Sequence, residues 1–261
     1  MKISITKLLA AGSLIFLCGE AFAQSGFEFG IRYGLQKTAL LNESDREAGA
    51  ELDFVYPKVY MSGGVALGYN ISRKIGVEMD LLFSRQGQAY NGFNAYSGST
   101  TAYNRQVAFQ AFLNSRILIG AYSAKAELNV LKIPLLLKLS TNHLNIIYFT
   151  ASAGPQLNMI TKAVFEIDGV EVKLPGLDVE PTDLYRKNSV DAVLALGTGI
   201  NFSEHMGITA QLRFDYGFSD VEMKEVRYSF MGAPPQRMYP EGRRDSHNAT
   251  AGLMFGLNYK L

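Results

Sequence analysis

The last thirteen residues, Ala249–Leu261, read ATAGLMFGLNYKL. Every second position is apolar: Ala249, Ala251, Leu253, Phe255, Leu257, Tyr259 and Leu261. Between them stand Thr250, Gly252, Gly256, Asn258 and Lys260, which are small or polar. A period of two describes a β-strand with one greasy face and one wet face. In a soluble sheet the greasy face meets a core. Here the pattern recurs along the chain with turn signals between, and an export signal precedes it. That combination predicts a greasy face against lipid.

Working back from this strand, seven more follow the same rule. Phe27–Leu35 places Phe27, Phe29, Ile31, Tyr33 and Leu35 on one side and Glu28 and Arg32 on the other. Val59–Ile71 and the strand from Ile75 are joined only by Ser72-Arg73-Lys74, and the second puts Glu78 and Asp80 on its wet face. A fourth strand ends in Leu131–Leu139, with Lys132 and Lys138 facing inward. Pro134 lies within it and cannot donate a ladder hydrogen bond, so it marks a bulge or a local weakness. Strands at Leu144–Leu157, Val190–Phe202 and Met206–Phe218 complete the set, carrying Asp191, Arg213 and Asp215 inward. The intervening stretches Gln36–Pro57, Gly87–Ala124, Asn158–Ser189 and Ser219–His247 read as loops. Within Gly87–Ala124, residues 107–121 are ambiguous between barrel extension and a short helix.

Eight strands with connections alternating long and short fit an all-β fold: an eight-stranded antiparallel up-and-down transmembrane β-barrel. Such barrels have short periplasmic turns and long external loops. Four long extracellular loops are therefore expected, with Ser72, Asn142 and Ser203 in periplasmic turns. Outward aromatics form two groups. Phe27, Tyr69, Phe202 and Tyr259 fall at the periplasmic ends, and Tyr33, Phe83, Tyr216 and Phe218 at the opposite ends, as membrane-boundary girdles. A periplasmic β-sandwich also alternates. The wet faces here, however, carry Gly, Thr and charges of both signs, as a narrow lumen would.

The N-terminus reads as a leader. Lys2 and Lys7 precede the apolar run Leu8–Leu17, and Ala21-Phe22-Ala23 is a cleavage signal. The expected division is therefore a signal peptide at 1–23 and an outer-membrane barrel at 24–261. Cys18, the one cysteine, lies in the leader behind Leu17, where a lipid anchor would need a small residue. The formal net charge of +1 gives no reason to expect nucleic acid as a partner.

The opening Phe29–Gly34, the stretch Lys132–Lys138 (KIPLLLK), Gly154-Pro155 and the closing GLNYKL resemble the PorT-like family of outer-membrane β-barrels. The resemblance covers nearly all of the expected mature chain, and its motifs are structural. It implies the barrel fold, and it implies partnership with a protein-secretion and gliding apparatus, in which the family's namesake takes part.

Little chemistry stands out. Asp245-Ser246-His247, with Asp215 nearby, is the one candidate catalytic cluster, but Ser246 and His247 should point to opposite faces. His143 and His205 read as solvated turn residues. No metal-ligand spacing appears. No catalytic residue, metal or cofactor is expected, and the protein reads as a non-enzyme. The loop Ala89–Tyr103 places Tyr90, Tyr96 and Tyr103 among Asn, Gly and Ser, a mix suited to adaptable binding. The third loop is acidic (Glu166, Asp168, Glu171, Asp178, Glu180, Asp183) and the fourth basic (Arg227, Arg237, Arg243, Arg244). Two solvated surfaces are preferred over paired loops capping the mouth, because exposed ion pairs contribute little.

The inward charges balance: Glu28, Glu78, Asp80, Asp191 and Asp215 against Arg32, Lys132, Lys138, Arg213 and Lys260. Neighbouring strands suggest Asp80 with Lys132, Glu78 with Lys138, and Lys260 with Glu28. A plugged lumen is expected rather than a diffusion pore. The working surface is then the external loops; the alternatives are a secretion subunit and a small passive pore. Expected partners are outer-membrane lipid and lipopolysaccharide, and the barrel-assembly machinery, which would read Leu257, Tyr259 and Leu261.

Overall fold

The computed structural model describes residues 26–43, 51–52, 59–94, 121–167, 170–171, 180–228, 236–237 and 242–261. Its frame is eight long antiparallel strands: β1 (Gly26–Asn42), β2 (Tyr60–Asn70), β3 (Ile75–Asn94), β4 (Ala121–Ser140), β5 (Ile147–Ile167), β6 (Asn188–Asn201), β7 (Met206–Gly217) and β8 (Ser246–Lys260). Each pairs with the next in the chain, and β8 pairs with β1, so the sheet closes on itself. Among the described residues no helix is long and apolar enough to cross a membrane.

The register fixes the shape. Following hydrogen-bonded partners from Phe27 leads through Tyr69, Val77, Leu137, Ala153, Leu194, Phe214 and Ala251 back to Lys37. One circuit therefore climbs from residue 27 to residue 37 of the same strand, a shear of ten residues. With eight strands, that shear tilts each by about 40° from the axis and leaves a rise of about 2.5 Å per residue. An eight-stranded ring is just wide enough for side chains to fill it. Close curvature also needs missing side chains. A Cβ on Gly64 would strike the Leu81 carbonyl, and one on Gly154 the Leu135 carbonyl.

One end of the barrel carries three short turns. Serines organise two of them: Ser72 Oγ accepts from the Ile75 amide at 3.1 Å, and Ser203 Oγ from the Met206 amide at 2.9 Å. At the other end the strands outrun the sequence reading. β1 continues past Leu35 to Asn42 because its inward side chains keep finding partners. Gln36 donates to the Arg85 carbonyl, and Thr38 both donates to and accepts from the Gly87 backbone at 2.7 Å. Residues 87–94 and 121–124, read as loop, extend β3 and β4, while 95–120 lie outside the described residues. β5 runs on to Ile167, and Val170–Glu171 pairs antiparallel with its end.

Pro134 leaves a gap rather than a bulge. Pairing of β4 with β3 stops at Leu135–Met79 and resumes at Lys132–Leu82 in unchanged register. The bulge lies higher, where Asn129 faces Lys162 and Val130 faces Ile160.

The long-loop end has its own small core. Leu184, Tyr185 and Val221 are buried there. Backbone bonds from Arg186 to Val221 (2.9 Å) and from Met223 to Leu184 (2.8 Å) tie the third and fourth connections together, and one from Val221 to Ser246 (3.0 Å) ties the fourth to β8. The expectation of two independent solvated loops therefore fails for their described parts. What joins them is backbone pairing and apolar burial, not opposite charge. Arg243 is buried in a two-point pair with Glu222 of its own loop (2.6 and 2.7 Å), and Arg244 pairs with Glu43. Asp168, Asp178, Tyr96 and Tyr103 lie outside the described residues.

Candidate functional site: the lumen

Burial is inverted relative to a soluble protein. The outer wall exposes Ile31 (63%), Phe83 (66%) and Phe149 (66%), while Lys132 (1%), Asp191 (1%) and Asp215 (3%) are inside. Water cannot account for that wall; lipid can. The strands alternate because each residue must face either hydrocarbon or the packed interior.

The interior charges form two tiers. In the tier nearer the short turns, Lys138 Nζ lies 2.8 Å from Glu28 and 3.8 Å from Glu78, and Arg32 lies 3.1 Å from Glu78. Asn70 donates to Glu28 at 3.1 Å, and Arg32 donates to Asn258. In the other tier, Lys132 Nζ meets Asp215 at 2.7 Å, and Arg213 reaches Asp215 at 2.8 Å and Asp80 at 3.6 Å. Arg213 also donates to Gln156, whose amide donates to Asn158 at 2.7 Å and to Asp191 at 3.4 Å. The ion pairs of each tier join two acids and two bases.

These partners differ from the sequence pairing in two places. Lys132 bonds Asp215 across the lumen, not Asp80 on the adjacent strand. The tilt is the cause. Each step around the ring climbs ten eighths of a residue, so Lys132 stands level with Asp215 and about 8 Å above Asp80. Lys260 likewise turns from Glu28. Its Nζ donates to the His143 carbonyl at 2.7 Å and to Asn201 Oδ1 at 2.8 Å, 5.3 Å above the Tyr148 ring. Among the described residues Asp191 makes no ion pair; amides of Gln156 and Asn248 serve it instead, each at 3.4 Å.

A residue read as solvated lies buried at the short-turn mouth. His143 is 4% exposed, its Nδ1 lies 3.0 Å from the Arg73 carbonyl, and burial holds its pKa below the ordinary 6.5. The turn folds inward over the lumen, anchored by Lys260 and by Asn201, which donates to the His143 and Asn145 carbonyls. His205 is exposed, as read, with its ring stacked 5.9 Å from Tyr259.

The candidate hydrolytic cluster does not assemble. Ser246 is buried and accepts from Asn42 at 2.7 Å. His247 lies on the opposite face, its Nδ1 3.1 Å from the Gly217 carbonyl and its ring stacked on Tyr216. Asp215 is committed to Lys132 and Arg213. Among the described residues no group of three His, Cys, Asp or Glu is placed to hold a metal ion.

An apolar outer wall, a closed ring and a charged, packed interior occur together in one kind of protein. The chain belongs to the outer membrane protein beta-barrel domain family. That family's model matches residues 22–222. Among solved structures, the barrel is similar to neisserial surface protein A (10% identity, TM-score 0.44, covering 91% of this chain and 99% of that one). It is also similar to OprG from Pseudomonas aeruginosa (14%, 0.42, covering 91% and 97%) and to a major outer membrane protein from Thermus thermophilus (12%, 0.45, covering 90% and 99%). Comparison with curated proteins finds no match.

As an outer-membrane barrel, the molecule carries its aromatics on the outside. Phe27, Tyr69, Phe202 and Tyr259 surround the short-turn end, with Phe27 and Tyr69 in ring contact at 5.1 Å. Phe83, Tyr216 and Phe218 stand toward the other end, the last two 5.7 Å apart. Tyr33 sits lower than these three, six residues or about 15 Å above Phe27, because the tilt lifts β3 and β7 relative to β1. Leu257, Tyr259 and Leu261 line the outer face of the closing strand.

Proposed function

We propose that this protein is a structural or interaction barrel of the outer membrane with a closed lumen, its external loops being the working surface. The observation that carries this reading is the pair of ion tiers. Eight charged groups meet across the ring, and each is less than a tenth exposed. A conducting pore would keep such groups hydrated; here each needs its partner. The long-connection end is read as external, because such barrels keep their short turns in the periplasm. Residues 1–23 are read as a cleaved leader, and Leu257, Tyr259 and Leu261 as the signal for the assembly machinery. The reading includes no enzymatic activity, since Ser246 and His247 face apart.

Liposome swelling tests the closed lumen. Vesicles containing the purified barrel should swell in small sugars no faster than protein-free vesicles. Fast, size-dependent swelling would promote the passive-pore alternative. The PorT-like motifs, Lys132–Lys138 above all, favour a second reading as a secretion-apparatus subunit. Recovery of secretion components with a loop-tagged barrel from native envelopes would establish that role, and recovery of the barrel alone would remove it.

A further inference from the structure

The outer wall carries cations that pair with no acid among the described residues. Lys37 on β1 and Arg85 on β3 both point outward and are exposed. Among the described residues neither makes an ion pair. Glu127, diagonally across from Arg85, is taken by Lys125.

The shear places these two cations together. β1 and β3 are separated only by β2, so the two backbones lie about 10 Å apart. Correcting for ten eighths of a residue per strand, Lys37 and Arg85 stand within half a residue of the same level. That level is ten residues above Phe27, or about 25 Å, which is the height of the apolar band of such barrels. Tyr216 and Phe218 share it. The two cations thus sit where hydrocarbon gives way to headgroups, beside the girdle.

Directly next to Lys37 the wall is hollow. Ala39, Ala192, Ala249 and Ala251 leave a depression of about 560 Å³ on the lipid side, with Phe214 as one wall and Lys37 at its edge. Elsewhere at this depth the wall carries larger side chains such as Met61, Leu157 and Val190. An apolar recess below two cations that are unpaired among the described residues matches one amphiphile: acyl chain in the recess, anionic head on the cations.

We propose that Lys37, Arg85 and the alanine depression form a binding site for a phosphorylated glycolipid of the outer leaflet. The proposal rests on the orientation given above, in which this end faces outward. The phosphates lie against Lys37 and Arg85, and one acyl chain fills the recess. The wall around Ala251 is then a fixed lipid position, not fluid annulus.

Native mass spectrometry of the purified barrel tests the site, with bisphosphorylated lipid A as the probe. Two further ligands separate head from tail: lipid A with its phosphates removed, and the bisphosphorylated disaccharide without acyl chains. Intact lipid A should bind most tightly. Lys37→Ala and Arg85→Ala should each weaken it about fivefold. Ala251→Phe should weaken it with both cations in place. Lys162→Ala removes an exposed cation from the far wall and should have no effect. Heat-modifiability confirms that each variant is folded. Unchanged affinity in the Lys37→Ala, Arg85→Ala double variant would overturn the site. So would an equal loss in Lys162→Ala, which would make the attraction a property of the whole rim. Equal binding of the disaccharide alone would overturn the acyl recess. Orientation is read separately: Glu225→Cys should label with an impermeant thiol reagent on whole cells. Silence there would sink the orientation without touching the binding data.

Discussion

At the residue scale, the lumen turns on Lys132. Its ammonium is 1% exposed and bonds Asp215 at 2.7 Å. Lys132→Met should destabilise the barrel by about 3–5 kcal/mol, because it leaves a buried carboxylate short of its partner. Adding Asp215→Asn should recover part of the loss, as read by urea unfolding in vesicles. A double variant destabilised by the full sum of the two single losses would mean the two do not interact. Asn258 is a second case. Its outward neighbours are legible as lipid-facing, and an inward Asn in a β-strand looks replaceable by Gln. The structure instead wedges it between Arg32 and Thr209, 1% exposed, so Asn258→Gln crowds a packed site. His143 carries a pH dependence. Its folded pKa is depressed by burial, so its contribution is complete above 6.5 and is lost as the pH falls below that value. The melting temperature should therefore drop on the acid side of 6.5, and His143→Gln should flatten that part of the profile. A drop that survives in His143→Gln would assign it elsewhere.

At the element scale, the closing strand β8 is a ruler across the membrane. Its outward residues Tyr259, Leu257, Phe255 and Leu253 rise in steps of two residues from the short-turn girdle. By the register, Phe255 stands near mid-height of the apolar band and Tyr259 at its lower edge. Phe255→Arg should cost about 2–4 kcal/mol, and Tyr259→Arg about 0–1. Leu257→Arg should fall between. Equal costs along the strand would refute the depth assignment. The strand faces were readable from sequence because period two leaves no freedom once one face is greasy. Strand ends at the long-loop side were not. Gln36, Thr38 and Gln88 look like loop residues, and only their bonds across the ring reveal them as lumen positions. Pairing of the ions was unreadable for a related reason. Sequence gives neighbours along the ladder, whereas the tilt brings together residues several strands apart.

At the scale of the whole molecule, polar side chains are packed inside the barrel at three heights. His143 and Lys260 bond to each other at the short-turn mouth, two ion tiers occupy the middle, and the joined third and fourth connections lie at the other end. At that rim Lys224 bonds Asp245 and holds its carboxyl below the usual range, so acid loosens the pair only well below neutral pH. The outer wall presents a continuous apolar band from Phe27 to the level of Lys37, matched to one bilayer core. With the lumen closed as proposed, the wall and the loops would be the surfaces through which this protein acts. Single-channel recording of the purified barrel in planar bilayers tests that claim most directly. No stable open level should appear in the unmodified protein, and conductance should emerge only when the ion tiers are dismantled, as in Lys132→Ala with Arg213→Ala. A steady open level in the unmodified barrel would contradict it.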